Sequence, residues 1–250
     1  MNKEREKEIL EIILKEKTVT VKELAKRLYA SEPSIRRDLS SLEKQSLIRR
    51  THGGALLEEN SSSAMHIPFM IRELEQSDAK IIIAKKASEL VNDGDLIMSD
   101  ASSTAYGIIP FLSSKSRLTL LTSGIKALVK ASEYGITAQS TGGRLISSCL
   151  SLVGEDAQRI ISSYNSDICF FSCRGVNADG WLTDFSIEEN HIRQHMIKQS
   201  KVNVLLCAGK KFGKKYSHNL CHINDIDYII TESKPTEEFE KVFANKIIYA

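Results

Sequence analysis

Residues 20–54, TVKELAKRLYASEPSIRRDLSSLEKQSLIRRTHGG, decide how this chain is read. Thr20 and Glu23 stand at capping-box spacing: the hydroxyl accepts from a free first-turn amide while the carboxylate reaches back to the cap. Val21, Leu24, Ala25 and Leu28 follow at i, i+3, i+4 and i+7, the stripe of a helix buried along one side. Tyr29-Ala30 make a turn. Ser31 then sits where a second helix needs an N-cap, and Pro33 falls in a first turn that tolerates it. At about 100° per residue, Ile35, Leu39 and Leu42 share the face that packs on the first helix. Pro33, Arg37, Ser40 and Lys44 point the opposite way, with Ser34, Arg36 and Ser41 on the flanks.

A short helix with an apolar back and a front of Arg, Lys and Ser suits the DNA major groove, where Arg forks onto guanine and hydroxyls reach bases or phosphates. Residues 48–54 read as a strand entering a turn, a wing whose basic arm lies on the backbone. Base-edge contacts are expected from Ser34, Arg37 and Ser40. Phosphate contacts are expected from Arg36, Lys44, Arg49 and Arg50, with His52 in the wing turn. The blander reading is a helical hairpin with a solvated charged face. Turn length, the paired Arg36-Arg37 and the basic Gly53-Gly54 wing favour nucleic acid.

With Ser31, Ser34, Ile35, Arg36, Arg37, Asp38 and Leu39, then Arg50, His52, Gly53 and Gly54, the stretch resembles the DeoR family of bacterial transcription regulators. The family's N-terminal winged helix-turn-helix carries a similar S-x-x-[ST]-I-R-R-D-L and R-x-H-G-G pattern. The resemblance continues through almost the whole chain.

Charge agrees with this division. Residues 1–57 hold 13 Lys+Arg against 9 Asp+Glu, whereas the other 193 residues hold 21 against 23, so the basic surplus lies where phosphate attraction requires it. The surplus is modest, so affinity is expected to depend on dimerisation too. No apolar run reaches membrane-spanning length and the start MNKEREKEIL is charged, so a cytoplasmic protein with no membrane partner is expected. Cys149, Cys169, Cys173, Cys207 and Cys221 have no C-x-x-C pairing and read as reduced thiols buried in strands. His52, His191 and His195 lack metal spacing, so no metal or cofactor is assigned.

Residues 4–16 read as the first helix of a three-helix DNA-binding unit, giving a winged helix-turn-helix domain over 1–57. Residues 58–76, where periodicity gives way to small polar residues, read as a linker. From residue 77 to 250 the pattern is α/β. A helix over 80–91 carries Ala84, Ala87, Leu90 and Val91 on one side. Short apolar strands follow at 96–98, 118–122, 136–141, 168–173, 202–207, 228–231 and 247–249, alternating with helices. That alternation builds a mostly parallel sheet covered on both faces, with ligands beyond the carboxyl ends of the strands.

Those ends carry small, hydroxyl-bearing or Gly-rich turns: Asp100-Ala101-Ser102-Ser103-Thr104, Thr122-Ser123-Gly124, Thr141-Gly142-Gly143-Arg144, Ser172-Cys173-Arg174-Gly175 and Lys210-Lys211-Phe212-Gly213. Amides and hydroxyls of this kind cradle phosphate groups, and five in one sheet exceed what turn preference explains. This half also resembles the family's sensor domain, which is similar in fold to ribose-5-phosphate isomerases. The resemblance implies that Asp100, Ser102, Ser103 and Thr104 match its D-x-G-S-T phosphate loop, with Ser102 in place of Gly. It implies that Thr122, Ser123 and Gly124 match its T-N-S turn, and Gly142 and Gly143 its paired glycines. Arg174, Gly175 and residues 180–183 match the region facing the sugar, and Glu189, Arg193 and Met196 match a conserved-pattern helix with His191 replacing its second Glu. Lys211 keeps the family's Lys, whereas Ala208 stands where its Asp is expected.

The reading is therefore a non-enzymatic DNA-binding repressor, controlled by a phosphorylated sugar or related metabolite, and a homodimer or homotetramer. The alternative is a sugar-phosphate isomerase-like enzyme with an accessory DNA-binding domain. The missing carboxylate at Ala208 argues against it, because isomerisation needs a positioned base. Arg193 and Lys211 also have plainer readings, as a surface helix residue and a solvated loop lysine.

Overall fold

The computed structural model describes residues 3–57, 68–75, 77–243 and 245–250. They form two compact units, Met1–Glu75 and Gln76–Ala250.

The first unit runs α1 (Lys3–Glu16), β1 (Thr18–Thr20), α2 (Val21–Arg27), α3 (Glu32–Lys44), β2 (Ile48–Arg50), β3 (Gly54–Leu57) and α4 (Phe69–Leu74). The capping box forms as expected: the Glu23 amide donates to Thr20 Oγ1 at 3.2 Å and the Thr20 amide to Glu23 Oε2 at 2.9 Å. Ser31 caps α3 through the Ser34 amide, and Pro33 lies in its first turn. Ile9, Leu10 and Ile13 of α1 interlock with Leu24, Ile35, Leu39 and Leu42 in one core. Strands β2 and β3 form an antiparallel hairpin, and β3 also pairs with β1. A Cβ at Gly54 would lie 2.0 Å from the Val19 carbonyl oxygen, so the second wing glycine is demanded by the β1–β3 crossing.

The linker expected over 58–76 needs correction within its described part. Phe69–Leu74 is helical, and Ile71 is buried in the core of the first unit. Residues 58–67 and 76 of that expectation lie outside the described residues. Six helical residues are less than two turns, too short a run for a helical period to stand out beside the polar residues before it.

The second unit begins with α5 (Ser77–Ser88) and β4 (Leu96–Ser99). It continues through α6 (Ser103–Tyr106), β5 (Thr119–Thr122), α7 (Ile125–Glu133), β6 (Thr137–Ser140), β7 (Arg144–Ile146), β8 (Ser151–Val153), α8 (Glu155–Ser162) and β9 (Ser166–Phe171). It ends with β10 (Gly175–Val176), β11 (Trp181–Asp184), α9 (Ile187–Lys198), β12 (Ser200–Leu206), β13 (His218–His222), β14 (Tyr228–Thr231), α10 (Glu237–Phe243) and β15 (Ile247–Tyr249). Seven of these strands form one parallel sheet in the order β15-β14-β12-β9-β4-β5-β6. Alternate residues of each strand feed opposite cores: Ile168 and Phe170 with Val204 and Leu206 on one face, Cys169 and Phe171 with Leu205 and Ile229 on the other.

Three further expectations shift. The helix expected over 80–91 ends at Ser88, so Leu90 and Val91 belong to the turn, although Val91 is still buried. The strand expected over 168–173 ends at Phe171, leaving Ser172 and Cys173 beyond the sheet. All five cysteines are buried and free, but only Cys169 and Cys221 lie in strands.

Candidate nucleic-acid interface and ligand site

Helix α3 presents the surface its spacing implies. Ile35, Leu39 and Leu42 are buried, while Arg36, Arg37 and Lys44 are exposed and Ser34 and Ser40 half-buried. Arg49, Arg50 and His52 are exposed on the wing. The cations fall into two groups. Arg36 pairs with Glu32 at 3.3 Å and Arg50 with Glu43 at 4.0 Å, each one partly neutralised. Arg37, Lys44 and Arg49 make no ion pair among the described residues, leaving three uncompensated charges on one helix and its wing. Asp38 of the same I-R-R-D-L run turns inward. It is 1% exposed and accepts from Arg5 Nε at 2.5 Å, tying α3 to α1. That hydrogen bond is the main reason the Arg5 pKa is raised.

In the second unit the chain moves outward along the sheet from β4 to β5 and β6, and in the opposite direction from β9 to β12, β14 and β15. The β4–β9 seam is thus the point where strand order reverses, the position at which open parallel sheets leave a crevice beyond their carboxyl ends. Asp100 and Ser172 are the first residues past the ends of these two strands. The Asp100 amide donates to the Phe170 carbonyl at 3.2 Å, and Asp100 Oδ2 accepts from the Ser172 amide at 3.3 Å.

Arg193 enters this seam from α9. Its Nε donates to Asp100 Oδ2 at 2.9 Å, and its Nη1 to Asp184 Oδ2 at 2.8 Å and Asn190 Oδ1 at 3.0 Å; Glu189 lies 3.9 Å from Nη2. Burial opposes the guanidinium charge, but Asp184, Asp100 and Glu189 outweigh it and raise the Arg193 pKa. Arg193 is therefore neither a surface residue nor an open anion donor: it is 4% exposed and committed to carboxylates. Lys211 reaches the same seam from the other side. Its Nζ donates to Ser172 Oγ at 2.7 Å, and that hydroxyl donates to the Leu206 carbonyl at 2.6 Å. Desolvation lowers the Lys211 pKa, and nearby Arg174 adds to the effect. Burial likewise pushes the Cys173 thiol up to about 12, which leaves it an inert wall.

Several other candidate residues serve the turns themselves. Asp100 Oδ1 accepts from the Ser102 amide at 3.1 Å, and Ser102 Oγ caps α6 by accepting from Ala105 at 3.1 Å. Thr122 Oγ1 accepts from the Gly124 amide at 3.0 Å, and both Thr122 and Ser123 are fully buried. Ser103 and Thr104 are buried as well. Gly142 and Gly143 take positive φ of 63° and 96°, and a Cβ at Gly143 would lie 2.5 Å from the Val153 carbonyl. A Cβ at Gly175 would lie 2.2 Å from the Lys214 carbonyl. Turn closure and close backbone approach thus explain much of what the sequence pattern assigned to a ligand.

The structure brings in residues that the pattern missed. Asp184 and Asn190 hold Arg193. Glu232, after β14, accepts the Gly209 amide with both oxygens at 3.1 Å, while Ala208 is fully buried. The only sequence trace of Asp184 is its position just before the Ser186 cap of α9. Among the described residues, no group of three or more His, Cys, Asp or Glu side chains is arranged to hold a metal ion.

A basic helix-turn-helix joined to an α/β sheet with a polar seam at its switch point defines a regulator with a DNA-reading part and a sensing part. Comparison with known proteins agrees. Residues 5–61 match the DeoR-like helix-turn-helix domain and residues 75–233 the DeoR C-terminal sensor domain. The chain is 32% identical to the HTH-type transcriptional regulator GolR of Listeria innocua, over 96% of this chain and 94% of that one. It is 28% identical to the glycerol-3-phosphate regulon repressor of Escherichia coli, over 93% and 91%. The ribose 5-phosphate isomerase A structure from Methanocaldococcus jannaschii aligns at a TM-score of 0.42 and 19% identity, over 55% of each chain. The chain belongs to the DeoR family of helix-turn-helix transcription regulators. No helix of the described residues is long and apolar enough to cross a membrane.

Proposed function

We propose that this chain represses transcription by seating α3 in the major groove of an operator, and that an anionic metabolite bound in its sheet unit controls that binding. The observation that carries the DNA reading is the unpaired trio Arg37, Lys44 and Arg49 on a helix and wing whose backs are sealed in a core. Arg37, Ser34 and Ser40 read base edges; Arg36, Lys44, Arg49 and Arg50 hold phosphates, with His52 at the wing tip. Two copies on a palindromic site match the usual symmetry of operators.

The effector class is a phosphorylated sugar or related metabolite, a reading supported by the Escherichia coli relative's designation as a glycerol-3-phosphate regulon repressor. Lys211 and Arg174 supply positive charge, while Ser103, Thr104, Ser123 and Gly124 frame the seam; Asp100 and Arg193 hold its floor. Bound anion shifts transcription only if it prefers one arrangement of the protein over another. The protein binds its metabolite without turning it over.

Selection of genomic fragments by the purified protein, followed by footprinting, tests the operator reading. Titration of the complex with phosphorylated sugars tests the sensing reading. If no phosphorylated sugar changes operator affinity or thermal midpoint, and Lys211 and Ser103 variants match the parent, sensing fails. Isomerisation of any of these sugars by the pure protein would favour an enzyme instead.

A further inference from the structure

The turn between α2 and α3 holds a side chain that the fold of its own unit does not use. Tyr29 is 98% exposed, and neither its ring nor its hydroxyl meets a partner among the described residues. Its φ is +48°, a conformation where bulky side chains are disfavoured. Tyr29 occupies the position just past the α2 cap Leu28, and the Ala30 amide closes onto the Ala25 carbonyl at 3.0 Å. Helix ends of this type favour glycine at that position. An aromatic there costs stability through its backbone, and its exposed ring makes no packing contact that offsets the cost.

Its surroundings point to what it meets. Lys22 and Lys26 lie at i and i+4 on the exposed side of α2, neither with an ion pair among the described residues, and Tyr29 follows three positions later. Two residues beyond is Ser31, the N-cap of the proposed recognition helix. In helix-turn-helix proteins the first helix of the motif crosses the sugar–phosphate backbone while the second enters the groove. A tyrosine hydroxyl is one of the side-chain groups that bonds phosphate oxygens in such complexes.

We propose that Tyr29 is a backbone-contact residue: its hydroxyl donates to a duplex phosphodiester at the edge of the groove occupied by α3, beside Lys26. The inference rests on the DNA reading above and adds to it a neutral contact, indifferent to sequence, at a residue strained in the free protein.

The test uses the full chain, an operator fragment selected by the parent and a scrambled duplex. Tyr29→Gly removes ring, hydroxyl and strain together; Tyr29→Phe removes the hydroxyl alone. Tyr29→Gly is expected to keep or raise the thermal midpoint while weakening both duplexes by a similar factor, about tenfold. Because a phenol displaces no counterion, the salt dependence should stay that of the parent. Tyr29→Phe should show most of the same loss. Parent-like affinity in Tyr29→Gly overturns the proposal, and so does a lowered midpoint, which would mean that the ring packs against protein. If the parent itself binds no duplex, the DNA reading falls and this inference with it, a result distinct from selective loss in the variants.

Discussion

Arg193 and Asp100 stand 93 positions apart in the chain and 2.9 Å apart in space, joining α9 to the loop that ends β4. Asp184 and Glu189 share the same guanidinium, so one cation holds three carboxylates in a nearly dry seam. Removing it leaves those carboxylates facing one another without compensation. Arg193→Met is therefore expected to destabilise the protein by about 3–5 kcal/mol, the cost of orphaning buried charge. Urea unfolding of the pure variant measures this; a loss below about 1 kcal/mol would show that water reaches the seam.

Lys211 gives a pH signature. Desolvation lowers its folded-state pKa, so across the interval between that value and the unfolded one the unfolded chain holds the extra proton. Stability from this residue therefore rises as pH climbs through that interval, and below it the charged ammonium carries its full penalty. Relative to the parent, Lys211→Met should fare better near pH 7 than near the ordinary lysine range of about 10.4. Paired unfolding curves at the two pH values check the sign. Phosphate bound beside Lys211 should oppose the shift and take up protons, so phosphate affinity should fall as pH rises.

The first unit was legible almost residue by residue because its signals are local. A capping box, a Ser cap and a stripe at helical spacing each act within a few residues, and each formed; the wing hairpin formed too, although its Gly54 answers to the approach of β1 and not to the turn. The parallel sheet was legible as a class, since short apolar runs alternating with helices admit few other arrangements. The seam was not. Hydroxyls at Thr122 and Ser102 look the same in sequence whether they bind a ligand or close their own turn, and here they close turns. Arg193 looked like either a site residue or a surface residue, because its three carboxylates come from a loop, a strand and its own helix. Short elements escaped for a related reason: Phe69–Leu74, β7 with β8, and β10 take their stability from tertiary packing that no local period records.

Asp38 tests the difference between reading DNA and supporting the reader. It lies inside the I-R-R-D-L run, yet it faces α1 and accepts from Arg5 at 2.5 Å. Arg5 is partly exposed, so the bond is worth less than a fully buried pair; Asp38→Ala should cost about 1–3 kcal/mol. Operator affinity should stay near the parent value at temperatures where the first unit remains folded. Affinity lost without loss of stability would place Asp38 at the interface.

Arg37 and Arg49 separate sequence reading from charge attraction. Arg37 projects from the middle of α3 and Arg49 from the wing strand β2; in the proposed docking the first would reach a base edge and the second the sugar–phosphate backbone. Arg37→Ala should cost about 1–3 kcal/mol on the operator and relax preference at one base pair, with little effect on scrambled duplex. Arg49→Ala should weaken both duplexes by similar factors and reduce the salt slope by about one counterion. Fluorescence anisotropy across a salt series resolves the two patterns. If Arg37→Ala gives the uniform loss and Arg49→Ala the selective one, then the wing reads the sequence and α3 holds the backbone.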